Sequence, residues 1–124
     1  MAVKHRHATD AELSVLKVLW AGGALSARSI AEELYPGGSA SDIATVQKLV
    51  SRLEAKRLVT RERKPPAHLF RAAVSQEKFA GEQLEAMAEK LSDGSLAPFV
   101  MHLVNARGLT KREREEIRRL LDSQ

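Results

Sequence analysis

The sequence predicts a mainly α-helical chain with one small β-hairpin, divided into a first region over residues 8–74 and a second over residues 75–124. Three observations predict it. Apolar residues recur at three- and four-residue intervals along most of the chain, the period of a helix with one buried face. The stretch Leu58–Ala72 breaks that period: Leu58–Arg63 alternates apolar with polar residues, Pro65-Pro66 lies in a turn, and His68–Ala72 can return as a second strand. Aromatic residues are 4% of the 124 positions, so the core has to come from Leu, Val, Ile and Ala. That composition suits packed helices better than a β-sandwich.

Each element has its own signals. Thr9 with Glu12 is a capping box. It opens a first helix over about Asp10–Ala21, with Leu13, Leu16, Val18, Leu19 and Trp20 apolar, and Gly22-Gly23 ends it. Ser26 caps a second helix, about Ala27–Tyr35, which Pro36-Gly37-Gly38 stops. Ser39–Asp42 reads as a polar linker. A third helix follows over about Asp42–Lys56, with Val46, Leu49, Val50 and Leu53 as its buried stripe. Leu58–Arg63 and His68–Ala72 are the two strands, joined through Lys64-Pro65-Pro66-Ala67. Three more helical patterns complete the chain: Gln76–Leu91, Ser95–Arg107 ending at Gly108, and Lys111–Asp122 opened by a Thr110/Glu113 capping box.

Charge is distributed unevenly. The formal net charge is +4 and the sequence pI about 9.7. Residues 1–74 hold 12 Lys and Arg against 7 Asp and Glu, whereas residues 75–124 hold 8 against 9. Residues 44–71 hold 8 basic and 2 acidic side chains, so the excess lies on the third helix and the hairpin. A local basic excess is the electrostatic footprint of a nucleic-acid binder. A solvated surface with a chance charge bias accounts for the total equally well.

Helix, helix, helix, hairpin is the plan of a winged helix-turn-helix. The major groove of DNA admits one α-helix. The third helix has an apolar stripe to anchor it and short outward side chains that allow close approach. Ala44, Thr45 and Lys48 are the candidates for base readout, Ala44 against a thymine methyl. Arg28, Ser41, Ser51, Arg52, Lys56 and Arg57 are the candidates for backbone phosphates, with Arg61, Arg63, Lys64 and Arg71 as the hairpin's share. Phosphate contacts set register and affinity, and base contacts set sequence preference.

Over nearly its whole length the chain resembles the penicillinase-repressor (BlaI/MecI/CopY) family of winged-helix transcriptional repressors. The residues that carry the likeness are Thr9-Asp10-Ala11-Glu12-Leu13 running on to Val18-Leu19-Trp20, and the stretch from Ala44-Thr45-Val46-Gln47-Lys48 to Arg57-Leu58-Val59. In the tail they are Asp93-Gly94-Ser95-Leu96, Leu103-Val104, and Leu109-Thr110 through Leu120-Leu121. The resemblance implies a homodimeric repressor on a dyad-symmetric, double-stranded operator, with the C-terminal helices making the dimer. The residues point the same way. Three short helices with strong apolar stripes can hardly bury them alone, so Leu84, Met87, Leu91, Leu96, Phe99, Val100, Leu103, Leu120 and Leu121 are the interface candidates. Packing of the same side chains against the chain's own first region is the alternative.

The resemblance also implies an inducing signal. In the penicillinase repressors proper this is cleavage of an Asn-Phe bond by a membrane sensor metalloprotease, and the matching pair here is His102-Leu103. The copper-responsive branch senses through C-terminal cysteines, and this sequence has none. Two positions depart from the family pattern. Arg57 stands where a Gly is usual, and Pro65-Pro66 where Gly-Arg is common at the hairpin tip.

Other classes find little support. His5, His7, His68 and His102 form no helical pair with a carboxylate partner, so no metal or cofactor is expected. No Gly-rich phosphate loop follows a strand, and Glu32-Glu33 and Glu115-Glu116 read as solvated helix faces, so no enzyme is expected. The N-terminus lacks the apolar run of a signal peptide, and a cytoplasmic location is expected. A winged-helix protein-interaction module, or a regulator triggered by a small molecule, stays open as the second reading.

Overall fold

The computed structural model describes residues 6–124. It has six helices and one hairpin: α1 (Asp10–Gly22), α2 (Ala27–Leu34), α3 (Ala40–Ala55), β1 (Val59–Lys64), β2 (Ala67–Ala72), α4 (Gln76–Ser92), α5 (Ala97–Arg107) and α6 (Lys111–Asp122). This is the mainly α fold with a winged helix-turn-helix and three following helices. It forms two compact units, the first ending at Leu84 and the second covering Glu85–Gln124.

In the first unit, α1, α2 and α3 enclose Val15, Leu16, Leu19, Ile30, Ala31, Val46, Val50 and Leu53. Each is nearly or fully excluded from water, and burial of one Leu, Ile or Val side chain stabilises by about 1.5–3 kcal/mol. The hairpin closes the same core with Val59 and Phe70. Its strands pair antiparallel, Val59 opposite Ala72 and Arg63 opposite His68. Leu25 joins the sheet edge through two backbone hydrogen bonds with Phe70, of 3.0 and 2.7 Å. Trp20 locks the far side. Its indole N–H donates to the Val74 carbonyl at 2.8 Å, and its ring lies 6.0 Å from that of Phe79.

Both expected capping boxes form, Thr9 with Glu12 and Thr110 with Glu113. A third forms in the stretch that reads as linker in the sequence. Ser39 caps α3 and Asp42 completes the box at its third position, so the helix starts at Ala40 and not at Asp42. Asp stands there in place of the usual Glu or Gln, yet its carboxylate still reaches the Ser39 N–H at 3.0 Å. Helix α5 starts two residues later than expected. Ser95 is held in a turn by its N–H bond to the Ser92 carbonyl, and Pro98 falls in the first turn, where a missing N–H costs nothing.

In the second unit, the link from α5 to α6 is pinned by Arg107, whose guanidinium contacts both oxygens of Glu113 at 3.3 and 2.9 Å. Held by that guanidinium and by the Thr110 backbone N–H, the Glu113 carboxyl drops to about 2. Among the described residues, no helix is long and apolar enough to cross a membrane.

Candidate nucleic-acid interface

Helix α3 owes its placement to the two ends of its apolar stripe. Val46, Leu49, Val50 and Leu53 face the core, which leaves Ala44, Thr45, Lys48, Ser51 and Arg52 outward and exposed. The Thr45 hydroxyl donates to the Ser41 carbonyl one turn back, at 3.1 Å. That fixes its rotamer and leaves its oxygen to accept from outside. Ser26 caps α2 and so places the exposed Arg28 in that helix's first turn. Between the start of α2, the groove side of α3 and the hairpin runs an open groove of about 550 Å³, lined in part by Arg28, Gln47, Ser51, Arg61 and His68.

The basic residues fall into two sets. Arg28, Lys48, Arg52, Arg57, Arg63, Lys64 and Arg71 are exposed, and their side chains make no ion pair or hydrogen bond among the described residues. The other set is engaged. Lys56 Nζ lies 2.8 Å from the Glu12 carboxylate, whose side chain is 1% exposed. Burial pushes the Glu12 carboxyl up, but hydrogen bonds from Lys56 and from Thr9, with the Lys56 charge, outweigh it and hold the group below its ordinary value. Glu12 Oε2 has no partner among the described residues. Arg61 pairs with Glu54 at 3.2 Å, lies 5.0 Å over the Phe70 ring and approaches His68 Nδ1 at 3.4 Å.

The two departures from the family pattern both fall where the backbone takes an uncommon geometry. Arg57 adopts φ 62 as the chain leaves α3, the left-handed conformation in which glycine is favoured. At the tip, the Pro65-Pro66 peptide is cis, and both prolines are exposed.

Three features escaped the sequence reading. Gln47 is exposed on α3 beside Ala44 and Ser51. Its spacing of three and four residues from them could have shown this. Glu12, legible as a cap, is also a buried counter-ion. Arg6 had no assigned part, yet it bridges Arg57 and Glu82. Neither tertiary pairing leaves a local signal. Of the candidate histidines, His5 lies outside the described residues. Among those described, no three His, Asp or Glu side chains come together as a metal site would need.

The dimer candidates divide by exposure. Leu84, Met87, Leu91, Leu96, Val100, Leu103, Leu120 and Leu121 are exposed in the single chain, and Phe99 is partly covered. His102 and Leu103 are both exposed within α5.

Three helices, a hairpin and an outward cationic face on the third helix define a DNA-binding protein of the winged-helix class. The chain belongs to the penicillinase repressor family, whose model matches residues 8–123. It is 24% identical over 122 residues to a penicillinase repressor of Staphylococcus aureus, covering 98% of this chain and 96% of that one. Among solved structures it is similar to a point mutant of Lactococcus lactis ZitR, with 17% identity over 99% of this chain and 77% of that one and a TM-score of 0.48. It is also similar to the PcaV transcriptional regulator of Streptomyces coelicolor in complex with its natural ligand, with 24% identity, coverage of 93% and 75%, and a TM-score of 0.47. The chain is thus a transcriptional repressor, and its family is one of repressors and not of enzymes.

Proposed function

We propose that the chain represses transcription as a homodimer on a dyad-symmetric operator, with α3 of each copy in the major groove. Ala44, Thr45 and Lys48 read base edges. Arg28, Ser41, Ser51, Arg52 and Arg57 hold phosphates on either side, with Arg63, Lys64 and Arg71 contributing from the hairpin. Lys56 and Arg61 are left out of this set, because their charges are already met by Glu12 and Glu54. The observation that carries the reading is the outward face of α3. Its short or unpaired polar side chains surround Lys48 and Arg52, and unpaired cations release DNA counterions without first breaking an internal pair.

The dimer rests on a second observation. Large apolar side chains from Leu84 to Leu121 stay exposed in the single chain, more than an isolated surface ordinarily leaves open. A second copy of α5 and α6 covers them, in the cytoplasm where the repressor acts. Release follows an inducing signal. Cleavage at His102-Leu103 by a membrane sensor metalloprotease is one route, and it requires α5 to unwind locally, since both residues lie mid-helix.

Selection of bound duplexes from random DNA tests the whole. A two-half-site consensus with steep salt dependence is expected, and binding that is weak, indifferent to sequence and insensitive to salt defeats it. The second reading, a regulator triggered by a small molecule, draws on a groove of about 720 Å³ between α1 and α2. Val18, Leu25 and Leu34 are among its apolar lining, with Lys17, Glu32 and Glu33 as charged members. Displacement of DNA by a small organic ion with an apolar body would favour it.

A further inference from the structure

We propose that Arg6 is a positioning residue for DNA binding, tying the C-terminal end of α3 to α4. The proposal rests on the reading of α3 as the helix that meets DNA. Arg6 Nη1 donates to the Arg57 carbonyl at 3.0 Å. Its Nη2 donates to both carboxylate oxygens of Glu82, at 3.0 and 2.9 Å. Gln83 Nε2 closes the bridge by donating to the Arg6 carbonyl at 2.6 Å. One guanidinium therefore holds the second residue past α3 and the second turn of α4 together.

The chemistry suits a fixed strut. A planar fork can serve two acceptors at once, which an ammonium on a flexible stem does with less geometric control. The Arg6 and Glu82 side chains are 27% and 22% exposed, so the pair is partly shielded from water and stronger than a surface pair. The point it grips is sensitive. Arg57 sits at φ 62, where the chain turns out of α3 into β1, and its carbonyl is the acceptor. One residue earlier, Glu12 grips Lys56. The exit from α3 is thus held by Glu12 in the first turn of α1 and by Arg6 ahead of that helix, and the Arg6 grip passes on to α4. Helix α4 runs to Ser92, through the division at Leu84 into the second unit, so a displacement of α4 has a path to α3.

The sign of the charge separates this role from direct DNA contact. Arg6 is committed to a carboxylate and a carbonyl and has no need of phosphate. Loss of Glu82 would, on electrostatics alone, strengthen DNA binding by removing a negative charge. Positioning predicts the opposite for the specific complex.

The test uses the full-length chain, the duplex it enriches from a random-sequence pool, and a shuffled duplex of the same composition. Glu82→Gln and Arg6→Lys are each expected to weaken the selected duplex by about tenfold or somewhat less, the scale of one charge-assisted bidentate contact. Affinity for the shuffled duplex and the salt slope should stay those of the wild type. Thermal melting establishes that each variant is folded. Both variants binding the selected duplex as the wild type does, or more tightly, overturns the proposal. So does a salt slope reduced by about one in a third variant, Arg6→Gln, which would make Arg6 a phosphate contact. Lys48→Ala keeps the two readings apart. If it leaves sequence preference intact, the reading of α3 fails and the proposal with it; if it relaxes preference while the Arg6 and Glu82 variants do nothing, the strut alone fails.

Discussion

Lys56 illustrates how one side chain can change assignment once its surroundings are known. On a helical wheel it is a basic residue near DNA, but in the fold it is the counter-ion of a buried carboxylate 44 residues away. Lys56→Met should destabilise the protein by about 1–3 kcal/mol, measured by urea unfolding at neutral pH. The value lies below the full cost of orphaning a buried charge because the Lys56 side chain is itself 34% exposed. The pH dependence follows from the same pair. The folded Glu12 carboxyl titrates below its ordinary value, so the unfolded chain takes up the proton first as pH falls. Its stabilisation is complete above the usual carboxylate range and is lost as acid brings the group through its lower folded value. Glu113 acts in the same direction, over the window between its ordinary value and about 2. Glu12→Gln should lower stability at neutral pH and flatten its acid decline, and an unchanged pH profile would contradict this.

At the scale of elements, the ends of helices decide more than their middles. The apolar stripe of α3 is plain in the sequence at Val46, Leu49, Val50 and Leu53, and so are the capping boxes of α1 and α6. The start of α3 is less legible, because Asp42 serves a box whose usual third residue is longer. The left-handed turn at Arg57 is written only as a missing glycine, and the partners of Lys56, Arg61 and Arg6 lie in other elements, where periodicity has no reach. The candidate DNA face was therefore readable as a set of cations, but not which of them are already engaged. Arg57→Gly should raise stability by about 1 kcal/mol by relieving the positive φ, seen as a higher melting temperature. If Arg57 also holds phosphate, the same variant should lower affinity for all duplexes alike and reduce the salt slope by about one. In the core of the same helix, Leu53→Ala should cost about 2–5 kcal/mol.

For the whole molecule, the two units divide the proposed contacts. The cations proposed to meet DNA lie in the first unit and most of the exposed large apolar side chains in the second, which is the division expected of a protein that grips a polyanion with one part and its own copy with another. Leu120 is 65% exposed, so Leu120→Glu should leave the folded chain intact. Sedimentation equilibrium should nonetheless show a shift from dimer to monomer, with loss of binding to a two-half-site duplex, and a wild type that sediments as a monomer would sink the dimer. How far the units depend on each other can be followed through Trp20, the sequence's single tryptophan. Its indole, held by Val74 and beside Phe79, makes intrinsic fluorescence a reporter of the first unit, blind to α5 and α6. Circular dichroism sums over all six helices. If the two signals part company along a denaturant titration, the second unit melts on its own, and the chain carries its C-terminal helices as a separately switchable cargo.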